Sequence, residues 1–594
     1  MSYRRKKLLA LFFAMALSMT AVAGCTGIKS STGNVVSSET ETNAEETSAQ
    51  SEAGTFSSAD MFTERDLAGT YEESGAVYVT LSDDGIAGET DGVVIDGQMV
   101  TITAEGTYIF SGTLSEGQIV VDADNAKVQI VFDNVDITCA SSAAVYVKSA
   151  EKVFVTLAEG SQNTLRNTDE YVAIDDNNID AVIFAKSDLT LNGTGSLTII
   201  SAEGHGIVSK DDLKIIGGTY DITAAGHALS GKDSVRIADG TFILTAEKDG
   251  IHAENADDEE KGYIYIADGD FTITSDGDGM DASNIVQIED GTLDITAGGG
   301  AANSLKTHES DVPGGPGGGM PQNGEKLDGE SMPQMGEKPD GENMPQDTTT
   351  DESGTSTKGI KAGGGMYLNG GTYQIDSADD SIHSNANITI ADGTYTLATG
   401  DDGVHADDAL IVNGGTITVT ESYEGLEGLA VTINDGTIDI TASDDGINTA
   451  GEKMELNGGY IHILAGGDGV DSNGDLTING GEIYIDGPSD NGNSAIDYGD
   501  RSSAYVNGGT LVAIGSSGMA EVMSDSSKQK VLMVKLGEQM EAGNVVLTDS
   551  EGNVIVSYTA LKTYDCVIIS TAEVESGATY TLTTSGTTTE VTAE

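Results

Sequence analysis

The sequence predicts an all-β protein, a right-handed parallel β-helix with three strands per turn of ~22 residues. Three observations predict it. The second glycine of an "NGGT" or "DGT" turn recurs at 218, 240, 269, 291, 371, 393, 415, 436, 459, 481 and 509, most often 21–23 residues apart. Each interval holds three short runs in which apolar and polar residues alternate, such as "DGVHA", "ALIVN" and "TITVT", and no run has helical spacing. Apolar residues also recur in register. Tyr220, Phe242, Phe271, Leu293, Tyr373, Tyr395, Ile417 and Ile438 each follow the turn glycine by two positions, and a second aliphatic residue follows two further on. Strands that pair with their own copy one turn away lie about 4.8 Å apart, so such columns stack inside the coil. The aromatic members read as core rather than as sugar platforms. The turn glycine suits a backbone with positive φ, and β-crossovers are right-handed.

Taken in order, residues 1–25 form a secretory signal. Arg4, Arg5, Lys6 and Lys7 precede an apolar run too short to be a membrane span, followed by Val22, Ala23, Gly24 and Cys25. A cysteine after Val-Ala-Gly resembles the lipobox of bacterial lipoproteins, which implies cleavage before Cys25 and acylation of its sulfur. The protein is then extracytoplasmic, held to the cell membrane only by lipid and exposed at the cell surface. Residues 26–65 are rich in Ser, Thr, Glu and Gly and read as a disordered tether. Residues 70–200 alternate less regularly and read as an N-terminal cap and first coils. Residues 201–520 are the regular β-helix. Within it, residues 301–357 form a low-complexity insertion in which Met-Pro-Gln recurs at 320, 332 and 344. It is expected to be disordered and dispensable. Residues 528–594 read as hairpin strands making a small antiparallel cap. Cys139 and Cys566 read as buried free thiols.

Composition narrows the partners. Among 594 residues there are 78 Gly, no Trp and a formal net charge of −69. Such a charge excludes nucleic acid and repels an acidic glycan unless cations intervene. One acid per turn recurs in register: Asp380, Asp402, Glu424, Asp445 and Asp468, doubled by Asp379, Asp401 and Asp444. Stacked like charges are unfavourable, and Ca²⁺ relieves this by bridging carboxylate oxygens. The alternative is a solvated acidic face. The candidate calcium ligands are Asp278, Asp281, Asp379, Asp380, Asp401, Asp402, Asp407, Asp408, Asp444, Asp445, Asp468 and Asp471. His383, His405, Tyr423, Glu424 and Glu427 are the candidate glycan contacts.

Several motifs together resemble the clostridial carbohydrate-binding β-helix lipoproteins: "GTYIFSGTLSEGQIVVDA", "KVFVTLAEGSQNTL", "TGDDGVHADDALIVNGGTITVT", "SYEGLEG" and "ASDDGIN". The resemblance covers about 70–585. It implies a pectate-lyase-like shape, calcium in the acidic turns and binding of plant-wall glycans such as polygalacturonate or cellulose. Lys358 and Lys361 depart from the pattern where acids are expected. Three functions stay open: a calcium-dependent glycan-binding surface protein, a uronate lyase, and a structural adhesin stiffened by calcium. The lyase is the weaker reading, because bases are few. Lys361 is its best candidate, ahead of Arg501, Lys248, His383 and His405.

Overall fold

The computed structural model describes residues 55–306 and 356–593, apart from 89–91, 173, 259, 452 and 500. The signal segment with Cys25, the tether before residue 55 and most of the Met-Pro insertion lie outside the described residues. No helix among the described residues is long and apolar enough to cross a membrane.

The coil is a parallel β-helix whose strands fall into three columns. The first sheet runs through Val145–Ser149, Ala181–Ala185, His205–Ser209, Leu229–Gly231 and Ile251–Ala253, and on through Met280–Ala282, Ile360–Ala362 and Ile382–Ser384 to Ile496–Tyr498. The second passes through Lys152–Leu157 to Ala504–Val506, and the third through Thr219–Ala224 to Thr510–Gly515. Each strand pairs in parallel with its equivalent one turn on, as in Leu229↔Ile251 and Tyr373↔Tyr395.

The apolar columns point inward as the periodicity predicts. Tyr220, Phe242, Phe271, Tyr373 and Tyr395 are buried. Tyr220, Phe242 and Phe271 stack with ring centroids 5.2 and 4.7 Å apart, and Tyr373 and Tyr395 at 4.5 Å. Their hydroxyls do not go unsatisfied: Tyr373 donates to the Gly370 carbonyl and Tyr395 to that of Asp392, both at 2.8 Å. The asparagines that open the "NGG" and "NDG" turns form a side-chain ladder. Asn434, Asn457, Asn479 and Asn507 each donate a side-chain N–H to the asparagine one turn before, at 2.8–2.9 Å.

The turn glycines adopt the predicted left-handed backbone, from φ +83° at Gly459 to +146° at Gly240. Gly459 has a second reason to be glycine, since a Cβ there would sit 2.6 Å from the Gly436 carbonyl oxygen. Gly459→Ala is therefore expected to destabilise the coil by about 1–3 kcal/mol, read as a lower urea midpoint with an unchanged slope.

Both ends are closed. Val93–Asp96 and Met99–Ile102 form an antiparallel hairpin ahead of the first coils. At the other end Tyr564–Ser570 pairs antiparallel with Thr510–Gly515, and Gly543–Thr548, Val554–Ala560, Thr579–Thr584 and Thr587–Thr592 make a separate antiparallel sheet. Cys139 and Cys566 are buried and free.

Two boundaries differ from expectation. Residues 55–65, expected in the tether, pack on the coil because they carry apolar and capping residues. Phe56 lies 4.3 Å from the Tyr263 ring and Met61 is buried with Tyr263 and Tyr265. Thr63 and Asp66 form a capping box at the short helix Glu64–Ala68, and the buried Asp66 carboxylate meets Lys152 Nζ at 2.6 Å. Residues 301–306, expected in the disordered insertion, also pack on the coil. The Asp376 carboxylate accepts from Ala301 N at 2.7 Å.

Candidate functional site

The acids form two columns at the corner entering the first sheet. One is the turn position: Asp249, Asp278, Lys358, Asp380, Asp402, Glu424, Asp445, Asp468 and Ser494. The other lies three residues later on the strand: His252, Asp281, Lys361, His383, His405, Glu427, Asn448, Asp471 and Asp497, in unbroken register. The turn acids are not a solvated outer face. Asp278 and Asp380 are 1% exposed and Asp402 is 5% exposed. Their burial follows from a backbone role. One carboxylate oxygen of each aspartate accepts the N–H of the equivalent residue on the next turn, among them Asp278 N to Asp249 at 2.9 Å, Lys358 N to Asp278 at 2.6 Å, Asp402 N to Asp380 at 3.2 Å, Glu424 N to Asp402 at 3.2 Å and Asp468 N to Asp445 at 2.6 Å. The parallel corner leaves these N–H groups outside the sheet ladders, and the repeated acid satisfies them.

The charges along the columns are met unevenly. Lys361 Nζ lies 3.3 Å from Asp281 and 3.5 Å from Asp278. Lys358 Nζ lies 2.8 Å from Asp379 and 2.6 Å from Asp380. Lys306, delivered by the flank of the insertion, reaches Asp379 at 2.6 Å and also pairs with Asp401. The clusters expected to hold calcium at Asp278–Asp281 and at Asp379–Asp380–Asp401 thus contain ammonium groups where the cation was expected. Lys306 was missed because its sequence neighbourhood is low in complexity and nothing in its spacing ties it to the repeat.

The histidines continue the compensation. His383 Nδ1 is 2.8 Å from Asp380, and His405 Nδ1 is 3.1 Å from both Asp402 and Glu427. Burial opposes the charge on His405, but Asp402, Asp407 and Glu427 outweigh it and push the ring up to about 12. His383 and His405 are therefore partners of the acid columns, and their rings tilt together at 5.0 Å. Burial opposes the charge on Lys361, but Asp278 and Asp281 outweigh it and raise its pKa, the opposite of what a general base needs. Asp407 and Asp408 are exposed within the strand Val404–Val412, and Asp407 lies 3.5 Å from His405 Nε2. Tyr423 is half-buried, with its backbone N–H on the Asp401 carbonyl at 2.6 Å.

Compensation stops after Glu427. Carboxylate oxygens of Asp445, Asp468 and Asp471 lie within 4.8 Å of one another, with no lysine, arginine or histidine paired to them among the described residues. Burial first, then neighbouring acids, push Asp445 up to about 8, Asp468 to about 7 and Asp471 to about 6. One oxygen of Asp445 and one of Asp468 are engaged by backbone N–H groups, the latter by Ser494 N, which orients the remaining oxygens. An all-oxygen, all-acid set with anchored carboxylates fits a hard cation such as Ca²⁺.

A family model described as carbohydrate-binding domain-containing protein matches residues 96–403 and 401–552. The chain belongs to that family. A protein of the same description from Acetivibrio thermocellus is 40% identical over 139 residues, which is 23% of this chain and 49% of that protein; the chain spans about half the length of this relative. A solved structure titled as the polysaccharide lyase-like protein from C. thermocellum, a gadolinium derivative, is 36% identical, covers 38% of this chain and 92% of the solved one, and superimposes with a TM-score of 0.37.

Proposed function

We propose that the protein is a lipid-anchored surface protein that binds acidic polysaccharide of the polygalacturonate type through calcium held by Asp445, Asp468 and Asp471, with Asp444 beside them. The observation that carries this reading is the uncompensated end of the acid columns. In the other acid clusters of these columns a lysine or histidine is paired with the carboxylates; here three carboxylates converge with none among the described residues. Calcium bound there supplies positive charge on a surface that otherwise repels a uronate. The chain's own residues orient the carboxylates through backbone N–H groups and present them along a regular sheet face suited to an extended polymer. The family description supports a carbohydrate ligand, and the Val-Ala-Gly-Cys25 sequence supports the anchor.

The test is retention on insoluble polygalacturonate with calcium and with chelator. Wild-type protein is expected to be retained in calcium and released by chelator, and Asp445→Asn with Asp468→Asn to lose retention while keeping its circular dichroism. Equal retention under both conditions would remove calcium from the mechanism, and no retention on polygalacturonate or cellulose would favour the structural adhesin. Fatty-acid labelling that persists in Cys25→Ala would rule out the anchor.

A further inference from the structure

Upstream of the acid columns, the same sheet carries the opposite charge. Lysine and arginine number 28 against 97 acids, yet His205, Lys210, His227, Lys232, Lys248 and His252 line one cleft of about 390 Å³. The imidazoles are stacked: His205 and His227 are 4.8 Å apart and 2° from parallel, His227 and His252 4.1 Å and 12°. We propose that this cleft is a second, metal-independent site that binds the carboxylate of a uronate unit directly; it rests on the acidic-glycan reading above.

Ligand atoms of His227, Asp249 and His252 lie within 4.8 Å of one another, but the ammonium groups of Lys210, Lys232 and Lys248 around the cleft favour an anion over a metal. His205 Nδ1 accepts the backbone N–H of His227 at 2.8 Å, so the neutral ring keeps its proton on Nε2, a donor rather than a ligand. His252 Nδ1 lies 3.0 Å from Asp249 and 3.5 Å from Asp281. Asp249 also lies 3.0 Å from His227 Nδ1 and takes the Asp278 N–H. Its charge is therefore spent behind the rings. At the rim, Lys232 pairs with Asp257 at 2.8 Å and Glu254 stands 3.5 Å from His252 Nε2. Lys210 and Lys248 are exposed and have no ion pair among the described residues. Lys210 Nζ lies 5.3 Å over the Phe184 ring, which leaves its charge available. A dication would meet three ammonium groups here, whereas a carboxylate meets them as partners.

Position adds to the argument. His252 belongs to the strand column that continues through Asp281 and Lys361 to Asp471. A polyuronate laid along the first sheet has a cationic contact near one end and the calcium-ligating acids near the other.

The test is titration of trigalacturonate into the full chain in chelator, where the calcium contribution is absent. Wild-type protein is expected to bind, Lys210→Ala with Lys248→Ala to bind at least tenfold more weakly, and the carboxyl-reduced trisaccharide not to bind. Asp445→Asn with Asp468→Asn should lose the calcium-dependent increment. No binding by wild type in chelator, undiminished binding by the lysine variant, or equal binding of the reduced sugar would each overturn the proposal. Loss of the calcium increment alone would bear on the metal reading and leave this site standing. Because both lysines are exposed, unchanged circular dichroism separates a lost contact from a lost fold.

Discussion

Replacing Lys358 with methionine is expected to destabilise the folded protein by about 3–5 kcal/mol, the range for breaking a buried ion pair by removing one partner. The Lys358 ammonium sits between Asp379 and Asp380, both buried, and shares Asp379 with Lys306. Burial pushes the Asp380 carboxyl up, yet Lys358, His383 and Lys306 overcome it and hold the group well below its usual range. Without Lys358 that balance fails: Asp379 and Asp380 must take protons, shed hydration at high energy, or find another cation. The double variant Lys306→Met with Lys358→Met should then become calcium-responsive, because Asp379, Asp380 and Asp401 have oxygens within 4.8 Å of one another. Urea denaturation with and without calcium measures both effects. A double variant as stable as wild type in chelator would show that the lysines contribute nothing net.

That pairing also shows what was legible in advance. The turn glycines, the inward columns and the acid register were all readable, because a coil that repeats every turn writes each structural requirement into the chain at a fixed interval. Even the alignment of Lys361 with His383 and His405 follows from counting, and the strand register bears it out. The burial of the acids was not readable. An aspartate before a glycine has the same spacing whether it faces water or accepts an N–H from the next turn, and only the corner geometry distinguishes the two. Lys306 was invisible for a different reason. Residues 301–306 leave the period, so no counting brings Lys306 to Asp401 across the insertion. The stacked His205, His227 and His252 fell between these cases. His205 and His227 stand one repeat apart, but His252 pairs in register with Ser230 and not with His227, so counting alone does not bring the third ring onto the other two in a chain of net charge −69.

The second large effect concerns calcium and pH together. Asp445, Asp468 and Asp471 are raised from the ordinary carboxylate value of 3.8 to about 8, 7 and 6, burial being the first cause and the neighbouring acids the next. A carboxyl whose folded pKa is raised binds its proton more tightly in the native state than in the unfolded one. Its contribution is fully present below about pH 4 and is lost as pH rises through 6–8, so stability falls with pH across that window. In chelator the melting temperature is therefore expected to decline between pH 5 and pH 8. Calcium binds the ionised, folded cluster, and at a hundred times its dissociation constant it adds about 2.7 kcal/mol. It should raise the melting temperature more at pH 8 than at pH 5, because at pH 5 it must displace protons. The variant Asp445→Asn/Asp468→Asn/Asp471→Asn isolates this share from other titrating groups, including Glu427, which is also raised to about 8 by burial and Asp402. It should be more stable than wild type in chelator at pH 8, with a shallower pH dependence and little response to calcium. Superimposable wild-type melts with calcium and with chelator at pH 8 would sink the calcium assignment, and a triple variant that keeps the full calcium response would move the ion to another part of the column.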